Sequence, residues 1–216
     1  MSLTLTLSGN TSSLESTFFP PIELEGDWEV GLLNLETFNS IPNLKQGTIK
    51  IGDTYTIIPE GAYELEDIQQ FCPEIQIKAN KNTLKTEITT TSFSSLEIND
   101  ELGELLGFGG AEIFERDYKY ISPYPAKISK VNVIRIDCSL AQGSYLNGKS
   151  THTIHEFFPS VATGYRIIEV PFNLIYHTIN TTHLCNLRLD IRDQNNNLVD
   201  FRGETITVRL HLRRKE

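Results

Sequence analysis

Apolar and polar residues alternate along the strand-like segment over residues 204–212. Its apolar side chains fall at every second position, and Thr207, Arg209 and His211 lie between them. A period of two places one set of side chains in a core and the other set on the opposite face of a sheet. The pattern predicts a strand whose core-facing side chains are Ile206, Val208, Leu210 and Leu212.

Strand-like segments recur through the rest of the chain. They are rich in β-branched residues and are separated by Gly, Pro and Asn, as strands and their turns usually are. The predicted strands cover residues 2–7, 28–38, 48–58 (a hairpin around Gly52 and Asp53), 74–78, 83–90, 93–98, 130–138, 165–170, 174–179, 184–192 and 204–212.

Two short segments have the pattern of helices. Residues 63–71 end before Pro73, as helices tend to do. Residues 100–106 have Asn99 or Asp100 as the N-cap, and Gly107 as the stop. Residues 139–164 form the longest stretch predicted to be irregular, and a loop of that length in a compact domain is usually functional or covers something.

The order of these elements predicts the fold class. Many antiparallel strands with helix only in the connections indicate an all-β fold, a single jelly-roll β-sandwich with two short helices in connections. No linker or internal repeat divides the 216 residues, so residues 1–216 are expected to form one domain. A domain of this length buries roughly 70% of its unfolded surface and needs no disulfide or metal to fold.

Net charge is −9 and is unevenly distributed along the sequence. Residues 1–100 hold 15 Asp and Glu against 5 Lys and Arg, a net −10, and residues 101–216 hold 13 against 14, a net +1. An acidic balance argues against a general nucleic-acid binder. The basic cluster of Arg213, Arg214 and Lys215 is therefore either a solubilising tail or a contact to an acidic partner or to packaged nucleic acid.

Segments for export or membrane insertion are not recognised in the sequence. The opening MSLTLTLSGN lacks the basic region and the continuous apolar stretch of a signal peptide. No window approaches the roughly 18 apolar residues of a membrane span. Three scattered cysteines do not suggest a disulfide framework, and a reducing compartment is expected. The protein is thus expected to assemble inside the cell.

The segment DQNNNLVDFRGE resembles a calcium-binding loop in its spacing. Asp193, Asn195, Asn197 and Glu204 occupy positions 1, 3, 5 and 12. Leu198, however, stands at the sixth position, where such a loop needs Gly, and both flanks have the pattern of strands. An Asn-rich turn that joins the last two strands is the favoured interpretation.

Other candidate sites also have simpler explanations. Because an extended chain points residues three apart to opposite faces, His152 and His155 do not form a close zinc-ligand pair, and His177, His183 and Cys185 lie further on. No G-x-S-x-G nucleophile motif occurs, and GFGG at residues 107–110 lacks the Lys and Ser or Thr of a phosphate loop. We predict no catalytic, cofactor-binding or metal-binding residue, no cofactor, and no enzyme.

Several stretches resemble a known family, the single-jelly-roll minor capsid (penton) proteins of Polinton/Maverick elements and the related adinto-like viruses. The resemblance runs from about Trp28 to Arg214 and rests on order and spacing rather than on a catalytic motif. It is carried by WEVGLLNLETFNSIPN, IIPEGAYELEDI, LGELLGF, LNGKSTHTIHEFFPSVATGYRIIEVP and DQNNNLVDFRGETITVRLHLRR. The chain is too short for the two jelly rolls of a major capsid protein of this lineage.

The resemblance implies an architectural function in a virion. Five copies would form a ring at each icosahedral vertex, surrounded by the double-jelly-roll major capsid protein. Arg209, His211 and Arg213 would then face an acidic neighbouring subunit, for which the −10 half of the chain is a candidate. The loop around Phe157 and Phe158, with Pro159 and Val161, would supply an apolar centre for the ring or would cover the protein's own core.

Two other function classes stay open from the sequence. Jelly rolls also serve as lectins, so a carbohydrate- or receptor-binding module is the first alternative. It predicts a concave patch of exposed aromatic residues, for which Tyr118, Tyr120, Tyr124 and Tyr145 are candidates. An esterase-like or cupin-like enzyme with a bound metal is the second, since fold alone does not decide function.

Overall fold

The structure, a computed structural model, describes residues 1–73, 75–90, 95–115 and 118–215. The chain divides into two compact units. The first unit consists of Met1–Ile41 and Val131–Glu216, and the second of Pro42–Lys130. The expectation of one domain over residues 1–216 stays a prediction.

Strands account for most of the regular structure. The part of the chain that the structure describes contains two helices, α1 (Leu65–Phe71) and α2 (Asp100–Leu105). Neither helix in the described ranges has the length and hydropathy needed to cross a membrane. The strands are β1 (Ser2–Gly9), β2 (Ser13–Glu23), β3 (Trp28–Phe38), β4 (Gly47–Ile51), β5 (Thr54–Ile58), β6 (Ile75–Ala79), β7 (Lys85–Thr90), β8 (Ser95–Ile98), β9 (Glu112–Glu115), β10 (Lys119–Pro125), β11 (Ile134–Cys138), β12 (Ala141–Gln142), β13 (Ser144–Leu146), β14 (Lys149–Thr151), β15 (Thr153–Phe157), β16 (Arg166–Glu169), β17 (His177–Ile179), β18 (His183–Arg192) and β19 (Ile206–Arg214).

The first unit is a β-sandwich. Sheet A has the order β1-β19-β3-β17-β12, with β16 also paired to β3, and sheet B has the order β15-β11-β18-β2. The chain passes repeatedly from one sheet to the other, which is the connectivity of a jelly roll. One hydrophobic cluster takes residues from both sheets, so the core of this unit lies between them. The predicted fold class, an all-β jelly roll with two short helices, is confirmed.

Strand β19 lies inside sheet A, between β1 and β3. Ile206, Val208, Leu210 and Leu212 are all fully buried. The predicted register of this strand is therefore confirmed. Full burial of each of these side chains stabilises the folded state by roughly 1.5–3 kcal/mol.

Two strands of sheet B were not predicted from the sequence. Strand β2 lies at the edge of sheet B, and its Pro20 and Pro21 interrupt the alternation of apolar residues, as edge strands tolerate. Residues 139–164, expected to be irregular, contain β12 to β15. A register shift opposite Ile136 and Asp137 places Ile154 and Phe157 three apart and both buried, so β15 lacks a period of two.

The second unit has a hydrophobic cluster of its own. It contains a four-stranded sheet, β5-β4-β8-β9, and a three-stranded sheet, β10-β7-β6. Strands β6 and β8 correspond to the predicted strands over residues 74–78 and 93–98; residues 74, 93 and 94 lie outside the described residues. Asn43 is buried and joins the two ends of the unit, since its Nδ2 donates to Tyr63 O and to Ile128 O, each at 2.8 Å.

Both predicted helices are present in the second unit. Helix α1 ends before Pro73, as expected. Helix α2 begins after Asn99, whose side chain accepts a hydrogen bond from Leu102 N. Gly107 follows α2 with φ +83°, and a Cβ there would lie 2.3 Å from Tyr124 O. The GFGG segment is thus a helix stop that only Gly fits at residue 107.

Candidate interaction surfaces

Arg209 and Arg213 of β19 lie on the face of sheet A that is turned away from the core of the first unit. Arg209 Nη1 donates to Glu36 Oε1 at 2.7 Å, and Arg213 Nε donates to Glu29 Oε1 at 2.6 Å. Both acidic residues belong to β3, and the register places Arg213 directly opposite Glu29. The hydrogen bond from Arg209 holds the pKa of Glu36 below its ordinary value.

These ion pairs give Arg209 and Arg213 partners within their own sheet, Glu36 and Glu29. A contact between this face and an acidic neighbouring subunit stays a prediction. The uneven charge of the two sequence halves also disappears in the fold. The first unit holds 14 acidic and 10 basic residues, a net −4, and the second holds 14 and 9, a net −5.

His211 lies on the same face and contacts a segment that crosses this face. We call this segment, residues 174–176, the strap. Tyr176 Oη lies 2.8 Å from His211 Nδ1, and the Arg213 guanidinium stacks 3.6 Å from the centre of the Tyr176 ring. The strap passes so close to β3 that a Cβ at Gly31 would lie 2.9 Å from Ile175 O. The sequence showed which residues share this face but not the strap that covers part of it.

The basic cluster at the end of the sequence is not a free tail. Arg213 and Arg214 belong to β19, and Arg214 N donates to Met1 O at 3.2 Å. Lys215 N donates to Asp27 O at 2.8 Å. The side chains of Arg214 and Lys215 are exposed. The two arginines thus belong to a strand rather than to a tail, and a contact of this cluster with an acidic partner or with packaged nucleic acid stays a prediction.

The candidate calcium loop is a turn between β18 and β19. Asp193 Oδ1 accepts hydrogen bonds from Asn195 N and Asn197 N, both at 2.8 Å. Asn197 Nδ2 donates to the second oxygen, Asp193 Oδ2, at 3.3 Å. An Asp whose carboxylate bonds the backbone of its own turn is a common turn stabiliser. The favoured interpretation as an Asn-rich turn agrees with these contacts.

The structure gives the four candidate zinc-binding histidines separate partners. His152 Nδ1 lies 2.7 Å from Ala141 O, and His155 Nε2 lies 2.7 Å from Glu169. His177 is 3.3 Å from Ser144 Oγ, and His183 Nε2 is 3.0 Å from Glu23. Among the described residues, no three His, Cys, Asp or Glu side chains are grouped as a metal site would require. Cys185, the other candidate ligand, is exposed.

A network of charged residues on the outer face of sheet B was missed from the sequence. Asp190 Oδ1 accepts from Arg188 Nε at 2.9 Å and from Ser13 Oγ at 2.7 Å, and Oδ2 accepts from Arg192 Nη2 at 2.7 Å. Burial alone would raise the pKa of Asp190, but these hydrogen bonds outweigh it and hold the pKa below its ordinary value. The alternation in RLDIR at residues 188–192 is the sequence signal for this network.

The apolar loop around Phe157 and Phe158 was expected either to supply the centre of a ring or to cover the protein's own core. One of the two phenylalanines is buried in the core and the other is exposed. Phe157 belongs to the core of the first unit and is 7% exposed, whereas its neighbour Phe158 is 71% exposed. Val161 packs against the core. The chain after this loop exposes further large apolar side chains. We call this set the 158–175 apolar surface; its members are Phe158, Tyr165, Ile168, Val170, Phe172 and Ile175.

The four tyrosines considered for carbohydrate binding lie in both units. Tyr118, Tyr120 and Tyr124 belong to the second unit, and Tyr145 belongs to the first. Tyr120 is partly buried, and its Oη accepts from Glu115 N at 2.9 Å. Tyr124 lines a cavity of about 710 Å³ without the other three. The alternative of a carbohydrate-binding patch is not favoured.

Comparisons with known proteins address the fold. No protein-family model matches the sequence, and no curated protein matches it. The structure is similar to the crystal structure of the mavirus penton protein, with a TM-score of 0.52 and 14% sequence identity. The chain shares the fold of a penton protein. The similarity covers 98% of this chain and 98% of that chain, and it confirms the resemblance seen in the sequence at the level of the fold.

Proposed function

We propose that this protein is a structural component of a virion, a penton-like minor capsid protein whose five copies form a ring at each vertex of an icosahedral capsid. The observation that carries the proposal is the similarity to the mavirus penton protein over 98% of both chains. Agreement in length and extent of fold fits two proteins with the same architectural task. The expected role is structural rather than enzymatic.

The 158–175 apolar surface supports assembly with other subunits. Its Phe172 is 99% exposed, and four of its other members are more than half exposed in addition to Phe158. Large exposed apolar side chains mark protein interfaces where they form a contiguous patch, and the six members of this set lie within eighteen residues of the chain. The residues at the centre of such interfaces are commonly aromatic. We therefore assign this surface to the contact between neighbouring copies in the ring.

A ring requires two different surfaces on each copy. The contact is heterologous, because each copy meets its neighbours head to tail, and it closes only if the rotation between copies completes a circle. In this proposal the outer side of the ring contacts a double-jelly-roll major capsid protein. The protein is located in the virion, after assembly inside the host cell.

The proposal is tested by mass determination in solution together with negative-stain imaging. A particle of five copies with five-fold symmetry is the expected result over a range of protein concentrations. The same sample mixed with the major capsid protein should yield closed particles that carry this chain at their vertices. A monomer at every concentration, or a ring of another order, would contradict the five-fold vertex role.

A further inference from the structure

Strand β1 lies at the edge of sheet A, with β19 on one side. Within the described ranges of the chain, no strand pairs with its other side. Its register with β19 is continuous over eight residues, from Ser2 opposite Arg213 to Gly9 opposite Ile206. An edge of this length without a bulge presents a regular row of backbone donors and acceptors.

The pairing with β19 decides which residues of β1 direct their backbone groups outward. Arg214 N donates to Met1 O at 3.2 Å, so Met1 and Arg214 form a hydrogen-bonded pair. Such pairs alternate with non-bonded ones along an antiparallel ladder. Leu3, Leu5 and Leu7 therefore bond to β19. The residues that turn their N–H and C=O groups to the open edge are Ser2, Thr4, Thr6 and Ser8.

The sequence of β1 is complementary to itself in the antiparallel direction. If two copies pair about a two-fold axis at Leu5, Thr4 of one lies opposite Thr6 of the other, and Ser2 lies opposite Ser8. All these residues turn their backbone groups to the open edge, so the register forms about eight backbone hydrogen bonds. A register shifted by one residue would mismatch both the hydrogen bonds and the faces.

Both faces of this pairing are also matched. On the core side, Leu3 lies opposite Leu7 and Leu5 opposite its own copy. Leu3 and Leu5 are only partly buried in the single chain, so a second strand would cover them. On the other side, exposed Thr and Ser hydroxyls lie opposite each other, and such cross-strand pairs are favourable.

The lack of charged side chains favours a second copy as the occupant of this edge. Residues 1–14 contain no Asp, Glu, Lys or Arg, so two copies of β1 meet without repulsion. The edge strands of sheet B differ. Strand β2 carries Glu15 and Glu23 with two prolines, and β15 carries Glu156. Charges and prolines are the usual protection of an edge against pairing, and β1 has neither.

We propose that β1 pairs antiparallel with β1 of a second copy of this chain and joins sheet A of the two copies into one continuous sheet. The interface is isologous, because the same strand serves both copies. It is separate from the 158–175 apolar surface and does not depend on the proposed vertex function. A two-fold pair and a five-fold ring have different masses and symmetries, so either result can fail without the other.

A charge exchange on the exposed face of β1 tests the pairing. In the double variant Thr4→Lys with Thr6→Lys, each new lysine faces a lysine of the second copy. The variant Thr4→Glu with Thr6→Glu places carboxylates opposite each other in the same way. The test uses the background Phe158→Ser with Phe172→Ser, which removes the proposed ring contact. In this background, sedimentation should show a pair when β1 is unchanged, monomers for the lysine variant or the glutamate variant alone, and a restored pair when the two are mixed. Absence of pairs when β1 is unchanged, or pairs that both variants leave intact, would overturn the proposal.

Cross-linking tests the register independently of these charges. In a Cys185→Ser background, Leu5→Cys places two thiols opposite each other at the two-fold axis, about 4.5 Å apart at Cα, which suits a disulfide. The matched control is Leu3→Cys, because residue 3 faces residue 7. Mild oxidation should link the Leu5→Cys copies at least ten-fold faster than the Leu3→Cys copies. Equal rates, or no link in either variant, would refute the two-fold register.

Discussion

Individual side chains of β19 serve the core and the charged surface in turn. Val208 is fully buried, and the next residue toward the N-terminus, Thr207, lies on the opposite face, with its hydroxyl 3.0 Å from Ser8 Oγ. The period of two was readable from the sequence because every core position of this strand is apolar. The partners of Arg209 and Arg213 were not readable, since Glu36 and Glu29 lie far away in sequence.

At this scale we predict opposite outcomes for neighbouring substitutions. Val208→Asp leaves an unpaired charge in the core and should lower the free energy of unfolding by roughly 3–5 kcal/mol. Thr207→Asp, on the outer face, should cost about 1 kcal/mol or less. Chemical denaturation of the two variants measures the difference. Similar losses in both would show that the assigned faces are wrong.

The Asp190 network predicts a dependence of stability on pH. The pKa of Asp190 is lower in the folded protein than in the unfolded chain, so its stabilising contribution is complete above about pH 4. The contribution is lost as the pH falls through the folded pKa. Asp190→Asn should therefore cost about 1–2 kcal/mol at pH 7 and much less in acid. Glu15→Gln, which changes an exposed carboxylate near Arg188, is the control and should change little at either pH.

At the scale of elements, prediction from the sequence succeeded where the pattern of a strand continues through a whole segment. The predicted bounds of β3, residues 28–38, match the observed Trp28–Phe38. Strand β2 was missed because most of its side chains are outside the core and Pro20 and Pro21 obscure its pattern. Strand β15 was missed because its register shift depends on β11, a neighbour that its own sequence does not reveal.

The second unit was not predicted from the sequence, because no linker marks its boundaries and its contacts join residues that are far apart in the chain. Its hydrophobic cluster contains only its own residues, and Asn43 joins its two ends. We predict that residues 42–130, expressed alone, fold into a β-rich unit with a cooperative thermal transition. Asn43→Ala should lower the melting temperature of this fragment, since it leaves Ile128 O and Tyr63 O without their donor. A fragment that stays unfolded would favour one domain over residues 1–216.

At the scale of the whole molecule, the ion pairs change the choice of assembly variants. Arg209→Glu and Arg213→Glu would place like charges beside Glu36 and Glu29, so they would disturb sheet A itself and not report on a subunit contact. Exposed ion pairs also contribute only about 0–1 kcal/mol each. Apolar side chains are the better probes of assembly, because their burial at an interface supplies most of the favourable free energy.

Because Phe157 is buried and the adjacent Phe158 is exposed, substitutions in this region can separate effects on assembly from effects on folding. The double variant Phe158→Ser with Phe172→Ser removes exposed members of the 158–175 apolar surface, so we predict that the ring dissociates while the melting temperature of the monomer hardly changes. Phe157→Ser removes a core side chain and should cost about 3–5 kcal/mol of stability. Light scattering and calorimetry on both variants measure the two effects. If rings persist in the double variant, the contact between copies lies elsewhere on the molecule; if its melting temperature falls as far as that of Phe157→Ser, these side chains belong to the core.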